Sequence, residues 1–147
     1  MPAQPTDLHE LAAARLRAHG QRYTRSRRAI VDALADADAP LSIPQLLERD
    51  GSLAQSSTYR NLTELEQADV VHRIVTADEF SRYELAEDLT EHHHHLICSH
   101  CGDVRDFTVP RALEHDLDRA LDRIAAEHGF AADNHRLDLI GTCATCA

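Results

Sequence analysis

Apolar positions in the first half of the chain recur every three or four residues, the spacing that lines one face of an α-helix. Leu8, Leu11, Ala12 and Leu16 keep that spacing, with Arg15 and His19 beside them, and Gly20 then ends the run. Thr24 or Ser26 can cap a second helix whose apolar face is Ile30, Val31 and Leu34. Ser42 can cap a short third one that tolerates Pro44 in its first turn and buries Leu46 and Leu47. A fourth begins at Ser56 or Ser57 and runs through Tyr59, Leu62 and Leu65 to Ala68. The period then changes. Residues 70–76 and 82–86 read as two short strands joined by the polar turn Ala77, Asp78 and Glu79. An acidic, apolar-poor stretch follows at 87–91. Beyond it, 92–98 and 104–108 read as strands. Pro110 opens a long helix with Leu113, Leu117, Ala120, Leu121 and Ile124 on one face, ending near Gly129, and 134–140 alternates as a last strand.

This order predicts an α+β chain in two units. Three or four helices followed by a β-hairpin is the layout of a winged helix-turn-helix, assigned to residues 1–86. Residues 87–91 form the hinge, and 92–147 form a small α+β unit that needs a staple or a partner subunit to be stable. No apolar run approaches the roughly 20 residues of a membrane span, and no basic-then-apolar leader precedes the first helix. The expectation is a soluble cytoplasmic protein with no membrane partner. Its net charge of −10 argues at first against a nucleic-acid binder. The charge is unevenly spread, however: 15–28 holds Arg15, Arg17, Arg22, Arg25, Arg27 and Arg28 and no acid.

The chain carries 11 His and 4 Cys. Cys98-Ser-His-Cys101 and Cys143-Ala-Thr-Cys146 use every cysteine, and two such pairs supply the four thiolates of a closed structural zinc site. Disulfides do not suit a reducing compartment, and a redox motif would need a βαβ context. His92 to His95 precede Cys98 on an expected strand, so His93 and His95 face one side and His92 and His94 the other. One tetrapeptide can thus seed two metal sites. His72 and Glu84, on the two hairpin strands, can reach His93 and His95. Glu114 on the long helix and His135 on the last strand can join His92 and His94, with Asp118 competing with Glu114.

These residues also resemble a known family. Ser57-Thr58-Tyr59-Arg60-Asn61-Leu62, the string His92 to His95-Leu-Ile-Cys-x-x-Cys-Gly, Ile124-Ala-Ala-Glu-His-Gly-Phe130, and Asn134-His135 before Cys143-x-x-Cys146 are similar to the ferric uptake regulator family of metal-dependent bacterial repressors. The resemblance implies an N-terminal winged-helix DNA-binding domain and a C-terminal dimerisation domain. It implies a homodimer that represses transcription by binding a palindromic, AT-rich double-stranded operator when a divalent metal is bound. Carried over, Cys98, Cys101, Cys143 and Cys146 hold structural zinc. Glu84, His93 and His95 fall on the regulatory site, with His72 substituting for a histidine the family often has before the third helix. His92, His94, Glu114 and His135 match a second site. Tyr59 and Arg60 lie on the recognition helix with Ser57 and Thr58, and Arg22, Arg25 and Arg27 belong to the basic stretch facing DNA.

No cysteine remains for the regulatory site, so its ligands are nitrogen and oxygen. Such a set suits Fe²⁺ but also binds Zn²⁺, and Mn²⁺ stays open. The reading favours an iron-type repressor, with a zinc-uptake regulator and then a manganese or peroxide sensor as alternatives. A metallohydrolase would want an HExxH or similar base motif, which is missing. A zinc-buffering or interaction module would leave the arginine-rich start and the Thr58-Tyr59-Arg60 segment unexplained.

Overall fold

The computed structural model describes residues 5–76 and 80–147. The expected turn at Ala77, Asp78 and Glu79 and the first four residues of the expected first unit lie outside the described residues. Helix α1 (Pro5–Ala18) ends where Gly20 takes a φ of 72°, which lets the Gln21 N–H donate to the Leu16 carbonyl at 2.9 Å. Thr24 caps α2 (Arg25–Asp36), its side chain accepting from the Arg27 N–H at 3.3 Å. Ser42 and Gln45 cap α3 (Ile43–Arg49) reciprocally, at 3.3 and 2.8 Å. Helix α4 (Gln55–Gln67) starts ahead of Ser56 and Ser57, the two start points expected for it. Ala54 holds the cap position with no side-chain bond, and Ser57 Oγ donates back to the Ala54 carbonyl at 3.2 Å.

The four helices close on one core in which Leu16, Ile30, Val31, Leu46, Leu62, Leu65 and Val70 are fully buried. Each such side chain contributes about 1.5–3 kcal/mol of burial. Strands β1 (Val71–Ile74) and β2 (Arg82–Leu85) pair antiparallel with His72 opposite Glu84, and Leu41 bridges to Tyr83 through bonds of 2.9 and 2.7 Å. A 3₁₀ turn, Glu87–Leu89, follows β2, and its Leu89 stays within the same core.

The rest of the chain is a three-stranded sheet with β3 (His94–Cys98) in the centre. β4 (Val104–Phe107) is antiparallel on one side of it and β5 (Asp138–Gly141) parallel on the other. Helix α5 (Arg111–Glu127), with Pro110 at its N-cap, links β4 to β5 and stops at His128 before Gly129, whose φ is 72°. The expected apolar face of α5 lies open. No residue of α5 is buried, and Leu113, Ile124, Leu139 and Ile140 are all more than half exposed. Among the described residues no helix is long and apolar enough to cross a membrane.

Candidate metal centres

The four sulfurs converge because β3 and β5 run parallel and place Cys98 beside Gly141. The turn after β3 brings Cys101 back through Gly102 (φ 76°), and Cys143 and Cys146 follow β5 directly. All four Sγ atoms lie within 4.8 Å of one another, Cys101 and Cys143 are 3.8 Å apart, and none is in a disulfide. A zinc tetrahedron with bonds of about 2.3 Å has edges of about 3.8 Å, so this donor set fits the ion. Backbone N–H groups point at Cys98, among them that of Cys143 at 3.4 Å, and lower its thiol to about 6. Crowding by the neighbouring thiols pushes Cys146 up to about 12. A cation among the four would resolve that crowding by holding them as thiolates.

The pleat of β3 splits the histidines as the alternation rule requires. On one face, Glu84 Oε2 lies 2.7 Å from His93 Nε2 and 3.0 Å from His95 Nε2. Asp106 Oδ1 is 3.9 and 3.6 Å from the same two nitrogens. Outward, His93 Nδ1–H donates to the Glu91 carbonyl at 2.8 Å, and His95 Nδ1 faces Asp138 at 3.5 Å. Burial works to raise Glu84, but the hydrogen bonds from His93 and His95 outweigh it and hold the carboxyl at about 2. The Glu84 bond raises His93 to about 9 against its burial. His95 is raised by the same carboxylate although burial opposes it. Burial pushes Asp106 up, and the nearby Glu84 charge adds to that.

On the other face, three Nε2 atoms converge on Glu114. His92 and His94 lie at 2.8 and 2.9 Å from its two oxygens, and His135 lies at 2.6 Å. Burial raises Glu114, but His94 and His92 hold it down at about 2. His135 Nε2 is buried without a hydrogen-bond partner, although it stands this close to the carboxylate. Three ring nitrogens and a carboxylate whose donor atoms all lie within 4.8 Å of one another form a set that fits a cation. Asp118 meets the other ring nitrogen of His135, Nδ1, at 3.0 Å, so it supports the ring from behind, where a ligand would not stand.

His72 does not join the first group. It stands opposite Glu84 in the hairpin, but its side chain is exposed and outside the set of four whose ligand atoms lie within 4.8 Å of one another. Asp106 takes that fourth position. The signal for it was a register: a tight turn between Cys98 and Asp103 pairs His95 with Asp106 across the β3–β4 hairpin.

The residues expected at DNA also divide. Arg22, Arg25, Tyr59 and Arg60 are exposed, and Ser57 is half-buried. Arg27 and Thr58 are corrections. Thr58 is fully buried on the inner side of α4, and Arg27 is a buried strut that donates to Asn61, Gln21 and the Arg22 carbonyl. Arg15 leaves the basic face as well and pairs with Asp88.

The model of the ferric uptake regulator family matches residues 18–140. A ferric uptake regulation protein of Rhizobium leguminosarum bv. viciae is 35% identical over 138 residues, covering 91% of this chain and 89% of that protein. A zinc-bound manganese uptake regulator is 34% identical, with a TM-score of 0.61 and coverage of 92% and 98%. The ferric uptake regulator of Helicobacter pylori, whose structure has three functional metal-binding sites, superposes with a TM-score of 0.74 at 23% identity. That match covers 98% of this chain and 94% of that one.

Proposed function

The chain belongs to the ferric uptake regulator family, and from that premise we propose that it is an iron-responsive repressor whose regulatory centre is Glu84, His93, His95 and Asp106. It is a metal-dependent DNA-binding regulator, and proteins of this family are dimeric. The observation that carries the choice of metal is the donor set: two imidazoles and two carboxylates within 4.8 Å of one another, with no thiolate. An oxygen-rich set of this kind leans toward Fe²⁺ or Mn²⁺ over Zn²⁺, which the second centre's three imidazoles and one carboxylate suit better.

A divalent ion, when bound, supplies the positive charge that lets Glu84 and Asp106 sit side by side. Glu84 stands on β2, before the connecting turn, while His93, His95 and Asp106 stand after it. Satisfying all four together fixes the winged helix in one orientation toward the sheet. Two such units in a homodimer present α4 to successive major grooves of a palindromic, AT-rich operator, about 34 Å apart. Arg22, Arg25, Ser57, Tyr59 and Arg60 face the DNA. The open apolar surface of α5 and β5 is the dimer contact, and the cytoplasm is the compartment.

The test is DNA binding by the zinc-stapled dimer during anaerobic titration with Fe²⁺, Mn²⁺ and buffered Zn²⁺, on a duplex selected from a randomised pool by the metal-loaded protein. Tightening with Fe²⁺ while free zinc is held very low is expected, and replacing His93 and His95 by Ala should abolish it. A response only to trace zinc overturns the iron assignment. Tight metal-free binding by the double variant overturns the switch.

A further inference from the structure

One carboxylate beside the second centre belongs to neither of its faces. Glu87 lies in the 3₁₀ turn that connects the winged helix to the sheet, and its Oε1 pairs with His92 Nδ1, the ring nitrogen turned away from Glu114. The next residue, Asp88, is clasped by Arg15 of α1, with Nη1 to Oδ1 at 3.2 Å and Nη2 to Oδ2. The same Nη1 donates to the Asp69 carbonyl at 2.7 Å. Asp69 holds a φ of 59° immediately after Ala68, the C-cap of α4.

We infer that Glu87 is a positioning residue of the second metal centre, and that the turn it sits in ties that centre to the end of the recognition helix. The inference rests on the second centre proposed above. Metal-bound histidines are held by a partner on their other ring nitrogen, which fixes the tautomer and ring plane, and losing that partner typically lowers metal affinity by about 10- to 100-fold. Asp118 does this for His135 from α5, inside the same half of the chain. Glu87 does it for His92 from the connecting turn, outside the sheet half.

The turn is short and held at both ends. Leu89 N–H bonds to the Ala86 carbonyl at 2.9 Å, Thr90 N–H to the Glu87 carbonyl at 3.1 Å, and Ala86 N–H to the Val70 carbonyl at 2.9 Å, with Leu89 buried in the first core. Glu87 therefore cannot follow His92 without moving Asp88, and Asp88 cannot move without disturbing Arg15 and its bond to the Asp69 carbonyl just past the end of α4. An exposed ion pair such as Arg15–Asp88 adds little stability by itself. Its effect here is geometric, because one guanidinium spans the turn and the helix end.

The test uses the full chain with its cysteine zinc retained and His93→Ala to silence the other centre, titrated with chelator-buffered Zn²⁺. Glu87→Ala should weaken binding about 10- to 100-fold. Glu87→Gln should recover most of the loss, since an amide oxygen still accepts from Nδ1–H. Arg15→Met should leave affinity within a few-fold. In the parent, Zn²⁺ should slow hydrogen exchange at the Ala68, Asp69 and Val70 amides, and this protection should vanish in Glu87→Ala and Arg15→Met. Unchanged affinity in Glu87→Ala, or equal protection in all three proteins, overturns the inference. His135→Ala separates the two levels: if it binds Zn²⁺ as tightly as the parent, the second centre itself is refuted, whatever Glu87 does.

Discussion

Arg27→Met keeps the aliphatic stem of a buried arginine and removes its guanidinium. In the folded chain Nε donates to Asn61 Oδ1 at 3.0 Å, and Nη1 donates to Gln21 Oε1 at 3.1 Å and to the Arg22 carbonyl at 2.7 Å. Asn61 is buried on α4, so water cannot replace the lost donor, and a bond of this charged kind carries about 1.5–3 kcal/mol. Gln21 and Arg22 reach solvent and lose about 0.5 kcal/mol each. Relief of a buried cation offsets part of the sum. The net cost is about 2–3 kcal/mol, which speeds exchange of the Leu62 and Leu65 amides about 30- to 150-fold when opening follows unfolding of the first core. Hydrogen exchange on the intact dimer reads this core separately from the sheet. The counterpart measurement is the salt dependence of DNA binding. Arg25→Ala should leave exchange unchanged and reduce the log–log slope by about 1.8, one phosphate contact per protomer. If Arg27→Met showed wild-type exchange and that same loss of slope, its guanidinium would be on the DNA and the strut argument refuted.

Three further outcomes follow from the centres. In metal-free regulatory sites, the raised His93 stabilises the fold below its unfolded value of 6.5, and this is lost as pH climbs through about 9. The depressed Glu84 stabilises above 4.5 and loses its effect as pH falls toward about 2, so the urea midpoint should be higher at pH 6 than at pH 9.5. His93→Ala should shrink that difference to the part that His95 carries, and a flat wild-type profile would contradict it. In the second centre, Glu114→Ala should weaken Zn²⁺ far more than Asp118→Ala, which should cost about tenfold; chelator competition showing the reverse order would exchange their roles. Cys101→Ser should lose the structural zinc, measured by metal content, and unfold the sheet half at neutral pH, because structural zinc sites supply several kcal/mol or more of folding free energy.

Local chemistry was legible wherever the signal lay within one element. Thr24, Ser42 and Gly20 announced helix ends because capping is settled within four residues. The split of His92 to His95 between two faces needed only the pleat. What could not be read were relations between elements. His72 and Glu84 share a register position, yet the ring of His72 stays in solvent, since pairing fixes backbones and leaves a long side chain its choice of rotamer. Asp106 needed the β3–β4 register, and Glu87 needed the approach of the connecting turn to His92. Arg27 and Thr58 were misread for a related reason: an arginine-rich run and a recognition helix each have an inner side, and composition does not say which residues occupy it.

Four identical letters in a row make a poor address. Sliding the strand by two positions would bring one histidine into the place of another on the same face, so the tetrahistidine run carries almost no information about its own alignment. What distinguishes His93 from His95, and either from its neighbours, is the reading frame set a few residues later. There the Cys98 N–H meets the Asp103 carbonyl at 2.9 Å and its sulfur joins the thiol cluster. The cysteine cluster thus acts as the index mark from which the two histidine clusters are counted. An oxidant or alkylating agent that strikes those sulfurs would leave every histidine and carboxylate intact and still erase the distinction between one centre and the other.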